Sequence, residues 1–234
     1  MKKIKVAFIA EMLVEDADGA IRTMFQIINR IPQHRFEFLF ICGVPPKRQL
    51  DFKVVTLPTA PLPINNNYSM ALPFLSEGKM SRTLNQFQPD LIHISTPSPM
   101  GHFAQKYAKK AEIPLLSIYH THFLSYVDYY LRKVPWMIPS IKQKVIHYTQ
   151  AFYNECQLTL VPTQNIMEEL ASYGVAPSKM MLWQRGIDHQ LFHPKKRDPK
   201  MIRQLVKNDR PNILFASRLV WEKNLETLIN IYQT

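Results

Sequence analysis

The sequence predicts an α/β protein built on a doubly wound parallel sheet. Three observations lead there. Short continuous apolar runs such as IKVAFIA (4–10), FEFLFICGV (36–44) and IPLLSIYH (113–120) lack the polar alternation of a half-exposed strand, so both of their faces must be covered. Stretches with apolar residues three and four apart, the helical spacing, lie between these runs. Strand and helix then alternate along most of the chain, the order that produces a parallel sheet with helices on both sides.

In chain order, residues 4–10 read as the first buried strand and GAIRTMFQIINRI (19–31) as an amphipathic helix. Residues 36–44 and KVVTLP (53–58) read as strands, and TAPLPINNN (59–67), rich in proline and asparagine, as a loop. A helix over 69–87, a strand DLIHIS (90–95), a helix over 101–111 and a strand over 113–120 follow. Then come a helix over 139–154, the strand LTLVPT (158–163), a helix over 165–174 that ends in glycine, and the strand KMMLWQ (179–184). Residues 1–185 therefore make one doubly wound domain. The polar, basic stretch 186–200 reads as a linker. Residues 201–234 supply a short helix, an apolar strand NILFAS (212–217) and the beginning of a further helix from residue 224. That is an incomplete second α/β unit, too small to bury a core of its own.

The bulk numbers agree with a folded chain. At roughly 150 residues per domain, 234 residues suit one to two domains. An apolar fraction of 46% excludes disorder. The net charge of +11 favours acidic partners such as phosphorylated substrates, anionic membranes or nucleic acid. No recognised nucleic-acid motif is present, so nucleic acid is not expected. The two cysteines, Cys42 and Cys156, form no CxxC and no disulfide framework, which predicts a reduced, cytoplasmic protein. The N-terminal MKKIKVAFIAEM is too short and too strand-like for a secretion signal. No apolar run approaches the ~20 residues of a membrane span.

Open α/β sheets bind ligands at the carboxyl ends of their strands, and the polar residues there are the candidates. After the first strand, Gly19 opens a helix, which lets backbone approach a ligand at an anion-favouring helix N-terminus. Plain turn chemistry, with Asp18 as the cap, is the competing reading. STPSPMG (95–101) has the residues of a tight loop before a helix. In YHTHF (119–123) the histidines stand two apart at a strand end, where both can share one strand face. No third ligand lies close in sequence, so a metal is not expected. His120 ends the apolar run and should face the cleft, where it can bond a ligand hydroxyl or stabilise charge. A satisfied core histidine is its alternative. In SRLVWEKNLE (217–226), Arg218 and Lys223 flank a turn into a helix and form an anion cradle suited to a diphosphate. Residues 126–153 interleave Tyr, Trp and Phe with Arg132, Lys133, Lys142 and Lys144, the composition of a membrane-surface segment or of a surface helix with an aromatic core face.

Several stretches, taken in order, carry a resemblance. HISTPSPMGHFAQKYAKKAEIPLLSIYHTHF, LTLVPTQNIMEELASYGV, LWQRGIDHQLFHP and FASRLVWEKNLETL resemble successive landmarks of glycosyltransferase family 4. The likeness is to its lipid-directed α-mannosyltransferases and sulfoquinovosyl-diacylglycerol synthases. It implies a GT-B architecture of two Rossmann-like domains, the first taking the acceptor and the second a nucleotide-sugar. It also implies transfer with retention and without a metal or other cofactor. By position, His120 matches the histidine beside the transferred sugar, Gly19 the glycine near the donor diphosphate, and Arg218 and Lys223 the basic pair on the leaving group. Ser217 stands where the family usually has glycine, and Asp18-Gly19 replaces a pair of glycines. The family's paired glutamates would fall beyond residue 234.

The resemblance implies transfer of a hexose, mannose among the candidates, to a lipid or glycolipid acceptor at the inner membrane face. On this reading the chain is the N-terminal part of such an enzyme, inactive alone or completed by a separate C-terminal half. A non-enzymatic module that binds acceptor or membrane is the second expectation.

Overall fold

The computed structural model describes residues 2–15, 17–62, 65–207, 214–217, 219 and 224–233. Seven parallel strands form the central sheet: β1 (Ile4–Met12), β2 (Phe36–Val44), β3 (Lys53–Thr56), β6 (Leu91–Ile94), β7 (Leu115–Ile118), β8 (Leu158–Val161) and β9 (Met180–Leu182). Their spatial order is β3-β2-β1-β6-β7-β8-β9. The strands β4 (Thr59–Leu62) and β5 (Asn65–Ala71) pair antiparallel in a separate hairpin. The chain runs outward from β1 on one side, then returns to lay β6 against the other side of β1.

Successive residues of β1 face opposite layers, as the strand period requires. Ala7 and Ile9 enter one core, with Met80 and Leu84 of α2 (Pro73–Phe87), Met100, Ala104 and Ala108 of α3 (Pro99–Ala111), Phe152 and Tyr153 of α5 (Ile138–Glu155), and Leu170 of α6 (Gln164–Ser172). Phe8 and Ala10 enter the other, with Ile21, Met24, Phe25 and Ile28 of α1 (Gly19–Ile28). Full burial on both faces is why the strands read as unbroken apolar runs. The predicted doubly wound α/β class is the observed one.

Three expectations change. Over their described residues, 59–62 and 65–67, the residues expected to form a loop are strand instead: Thr59 pairs with Ala71, Ala60 with Met70 and Pro61 with Ser69. A two-stranded ribbon has outward edges on which proline's missing N–H goes unneeded. Helix α2 begins at Pro73, not 69, because residues preceding a proline are pushed out of the helical region, and proline itself suits the first helical turn. The strand expected at 212–217 is absent over its described residues 214–217, where Leu214 is 89% exposed. A strand exists through the neighbour that accepts its backbone hydrogen bonds.

The helix α4 (Phe123–Tyr130), unanticipated by periodicity, fills the connection between β7 and α5. Past β9, the segment 186–200 is exposed, and α7 (Pro199–Val206) and α8 (Leu225–Gln233) follow it. Among the described residues, no helix is long and apolar enough to cross a membrane.

Candidate active site

The sheet reverses its winding between β1 and β6, so the connections leaving their carboxyl ends diverge and open a crevice. Three chain segments follow these carboxyl ends: residues 13–15 and 17–18 after β1, residues 95–98 after β6 and residues 119–122 after β7.

The two helix N-termini there differ. At α3, Ser98 caps by accepting from the Gly101 amide at 3.1 Å. The Glu11 carboxylate accepts from the Met100 amide at 3.3 Å and, with its other oxygen, from the Ala71 amide at 2.7 Å. An internal anion thus already occupies the positive end of α3. At α1, Asp18 Oδ1 accepts from the Ile21 amide at 2.8 Å. A methyl group added at Gly19 would meet no atom within 4 Å. The bare backbone at Gly19 answers no packing need of the protein, and the space beside it is open to a ligand.

His120 lies two residues past β7. The Tyr119 amide donates to the Leu160 carbonyl at 2.8 Å, the last backbone bond holding this exit. The His120 Nδ1 receives a hydrogen bond from Arg185 Nη2 at 3.4 Å. Its Nε2 is buried with no partner among the described residues. Burial, then Arg185, pushes the imidazole pKa down to about 4, with Asp18 opposing both. A ring so held is neutral at pH 7 and is equipped for hydrogen bonding rather than for carrying charge.

Beneath it sits His93 of β6, 6% exposed and 4.4 Å ring to ring from Phe8. Burial, then His120, pushes its pKa down to about 3. Its Nε2 also lacks a partner among the described residues. His93, Leu116, Ile118 and Leu160 floor a cleft of about 780 Å³ between α1 and the segment 183–192.

His122 does not join His120. The strand has ended by Ile118 and His122 begins α4, so the two-residue spacing no longer places both on one face. Its Nε2 lies 2.9 Å from Glu169 Oε1 of α6. The Tyr173 hydroxyl donates to the same oxygen. This cluster pins the β7–α4 connection to α6. Among the described residues no group of three or more His, Cys, Asp or Glu side chains is placed to hold a metal ion.

The structure thus places Asp18 near enough to His120 to act on its charge, with Gly19 next to Asp18 at the start of α1. Arg218 and Lys223 lie outside the described residues. Arg185 and His93 are additions that reading the sequence missed. Arg185 carried a signal: it follows the short strand β9, so it too is a strand-end polar residue. His93 carried none, since its apolar neighbours predict only a core position.

A model of Glycosyltransferase Family 4 matches residues 17–191. The chain is 25% identical, over 99% of its own length and 55% of the relative's, to a GDP-mannose-dependent alpha-mannosyltransferase of Corynebacterium glutamicum. It is 30% identical to the Arabidopsis thaliana sulfoquinovosyl transferase SQD2, over 62% of this chain and 28% of that protein. Among solved structures, Anabaena HepE in complex with UDP and glucose superposes with a TM-score of 0.55 at 17% identity, covering 87% of this chain and 50% of that one. The chain spans between 55% and 59% of the length of the first three curated relatives.

Proposed function

The chain belongs to glycosyltransferase family 4, and from that premise we propose that its crevice is the acceptor-side half of the site of a retaining transferase. The donor is a nucleotide-sugar, with GDP-mannose favoured by the names of the first three relatives. The acceptor is a lipid or glycolipid hydroxyl. In the reaction the bond from the anomeric carbon to the diphosphate oxygen breaks. The acceptor oxygen takes its place on the same face, and the acceptor proton is released.

The observation that carries this reading is the pairing of His120 with the open space at Gly19. The amides opening α1 and the helix dipole favour an anion beside Gly19. The neutral His120, with a buried nitrogen unpartnered among the described residues, is suited to an oxygen of the transferred sugar. Arg218 and Lys223 are proposed to meet the diphosphate, where fixed cations stabilise charge that grows as the leaving group departs.

The test is transfer from GDP-mannose, UDP-glucose and UDP-N-acetylglucosamine to a diacylglycerol or glycolipid acceptor. It is run on the chain alone and on the chain completed, in one or two polypeptides, to the length of its relatives. The completed protein should turn over GDP-mannose, and His120→Ala should lower kcat by about 10²-fold, the loss typical of one oriented hydrogen-bonding group. Transfer from none of the three donors in either form overturns the reading.

A second reading, a module that binds an anionic membrane and carries no transfer, is favoured by the turn between α4 and α5. There Trp136 is 78% exposed and Tyr130 49%. Arg132 and Lys133 lie between them. The two readings are compatible in one protein, and turnover decides whether the second stands alone.

A further inference from the structure

Arg185 reaches His120 from a short span between two fixed points. On one side the Trp183 amide donates to the Val161 carbonyl at 2.8 Å, the last bond of the sheet at β9. On the other, Asp188 Oδ1 accepts from the Gln190 and Leu191 amides at 2.9 and 3.0 Å and braces the turn. The guanidinium delivered between them donates to the imidazole, Nη2 to Nδ1, at 3.4 Å.

Arginine has donors and no acceptor, so Nδ1 must accept. A neutral imidazole holds one proton, which then resides on Nε2. The charged and titratable groups facing the ring compete over this. Asp18, at the start of α1, favours the imidazolium, and a carboxylate beside the ring favours a proton on the nitrogen that faces it. Arg185 from beyond β9 disfavours a charged ring, while His93 of β6, neutral down to about pH 3, brings no charge to it. In the structure the contact at Nδ1 belongs to Arg185.

We propose that Arg185 is the positioning residue of His120: by donating to Nδ1 it fixes the imidazole proton on Nε2, and so makes that nitrogen a hydrogen-bond donor for a ligand oxygen. The role rests on the proposed site, and it names how the site is kept ready. Nε2–H is buried and unpartnered among the described residues, an arrangement that costs stability until an oxygen atom meets it. A hydroxyl of a bound hexose is the class of group that fits.

The experiment is long-range proton–nitrogen NMR on the full chain labelled with ¹⁵N-histidine, the His120 signals being assigned with His120→Asn. In the wild type, Nδ1 should carry the shift of a bare nitrogen, Nε2 that of a protonated one, and the ring should not titrate between pH 8 and pH 6. Arg185→Ala leaves Asp18 as the dominant charge: the midpoint should rise by a pH unit or more, with Nδ1–H becoming populated. Arg185→Lys keeps a donor and a cation and should restore the wild-type pattern. A wild-type ring protonated on Nδ1, or charged at pH 7, overturns the proposal without recourse to any variant. So does an Arg185→Ala spectrum identical to the wild type. The signature is read without ligand or turnover, so a protein that transfers no sugar would sink the proposed function and leave this result standing.

Discussion

His93 and His120 make the fold sensitive to acid. Both are held neutral, with pKa values pushed down to about 3 and about 4 from the ordinary 6.5, chiefly by burial. The unfolded chain takes up protons below pH 6.5, while the folded chain refuses them until about pH 4 at His120 and lower still at His93. Their contribution to stability is therefore complete above pH 6.5 and is lost as the pH falls through that window. Each histidine accounts for about 1.4 kcal/mol per pH unit there. Urea midpoints measured at pH 7.5, 6, 5 and 4.5 should fall steadily, and the slope should flatten in the double variant His93→Asn, His120→Asn. A wild-type midpoint unchanged from pH 7.5 to 5 would show that neither ring is held neutral. At the same scale, Cys42 and Cys156 are buried and unpaired, and burial pushes both thiols up to about 12. They are packing groups rather than nucleophiles.

At the scale of elements, two glycines that look alike in sequence do different work. Gly101, in the first turn of α3, lies against the β6 exit: an added methyl would stand 2.6 Å from the Thr96 carbonyl oxygen and 3.0 Å from an Ile94 methyl. Backbone cannot yield there, so Gly101→Ala should cost about 1–3 kcal/mol, seen as a lowered denaturation midpoint. Gly19 meets nothing, so Gly19→Ala should leave stability unchanged or raise it by up to about 1 kcal/mol, since alanine is the better helix residue. In the completed protein it should nonetheless weaken donor binding, read as a raised KM. A stable Gly19→Ala protein with unaltered KM would remove Gly19 from the site. Element boundaries follow equally local causes: Pro73 sets the start of α2, and Ser98 that of α3.

The whole molecule carries a net charge of +11, and the α4–α5 turn concentrates part of it beside exposed aromatic rings. Lys142 is engaged with Asp128 at 2.7 Å, which leaves Lys133 and Lys144 as the better probes of membrane attraction. A lysine near an anionic surface is worth about 1 kcal/mol, so the double variant Lys133→Gln, Lys144→Gln should bind phosphatidylserine vesicles about thirtyfold more weakly at low salt. Co-sedimentation measures it, and a wild-type chain that stays in the supernatant at low salt would exclude the membrane as a partner of this face.

The sequence by itself determined the sheet and most of its helices, because a strand buried on both faces leaves an unbroken apolar run and a helix leaves a 3.6-residue period. It also placed His120 and Gly19 at strand exits, since the carboxyl ends of an open sheet are known once the strands are known. Tertiary structure alone decided what those exits face. Arg185 meets His120 across 65 positions, and His93 lies under it because β6 and β7 pair in register, His93 beside Leu116. His122, two residues from His120, turns instead to Glu169. The antiparallel pairing of β4 with β5 was hidden for the same reason: pairing between strands is a relation between separate segments, and no local period records it. Local chemistry writes the elements into the chain, but which side chains share a site depends on how the sheet is ordered, a property of the packed molecule.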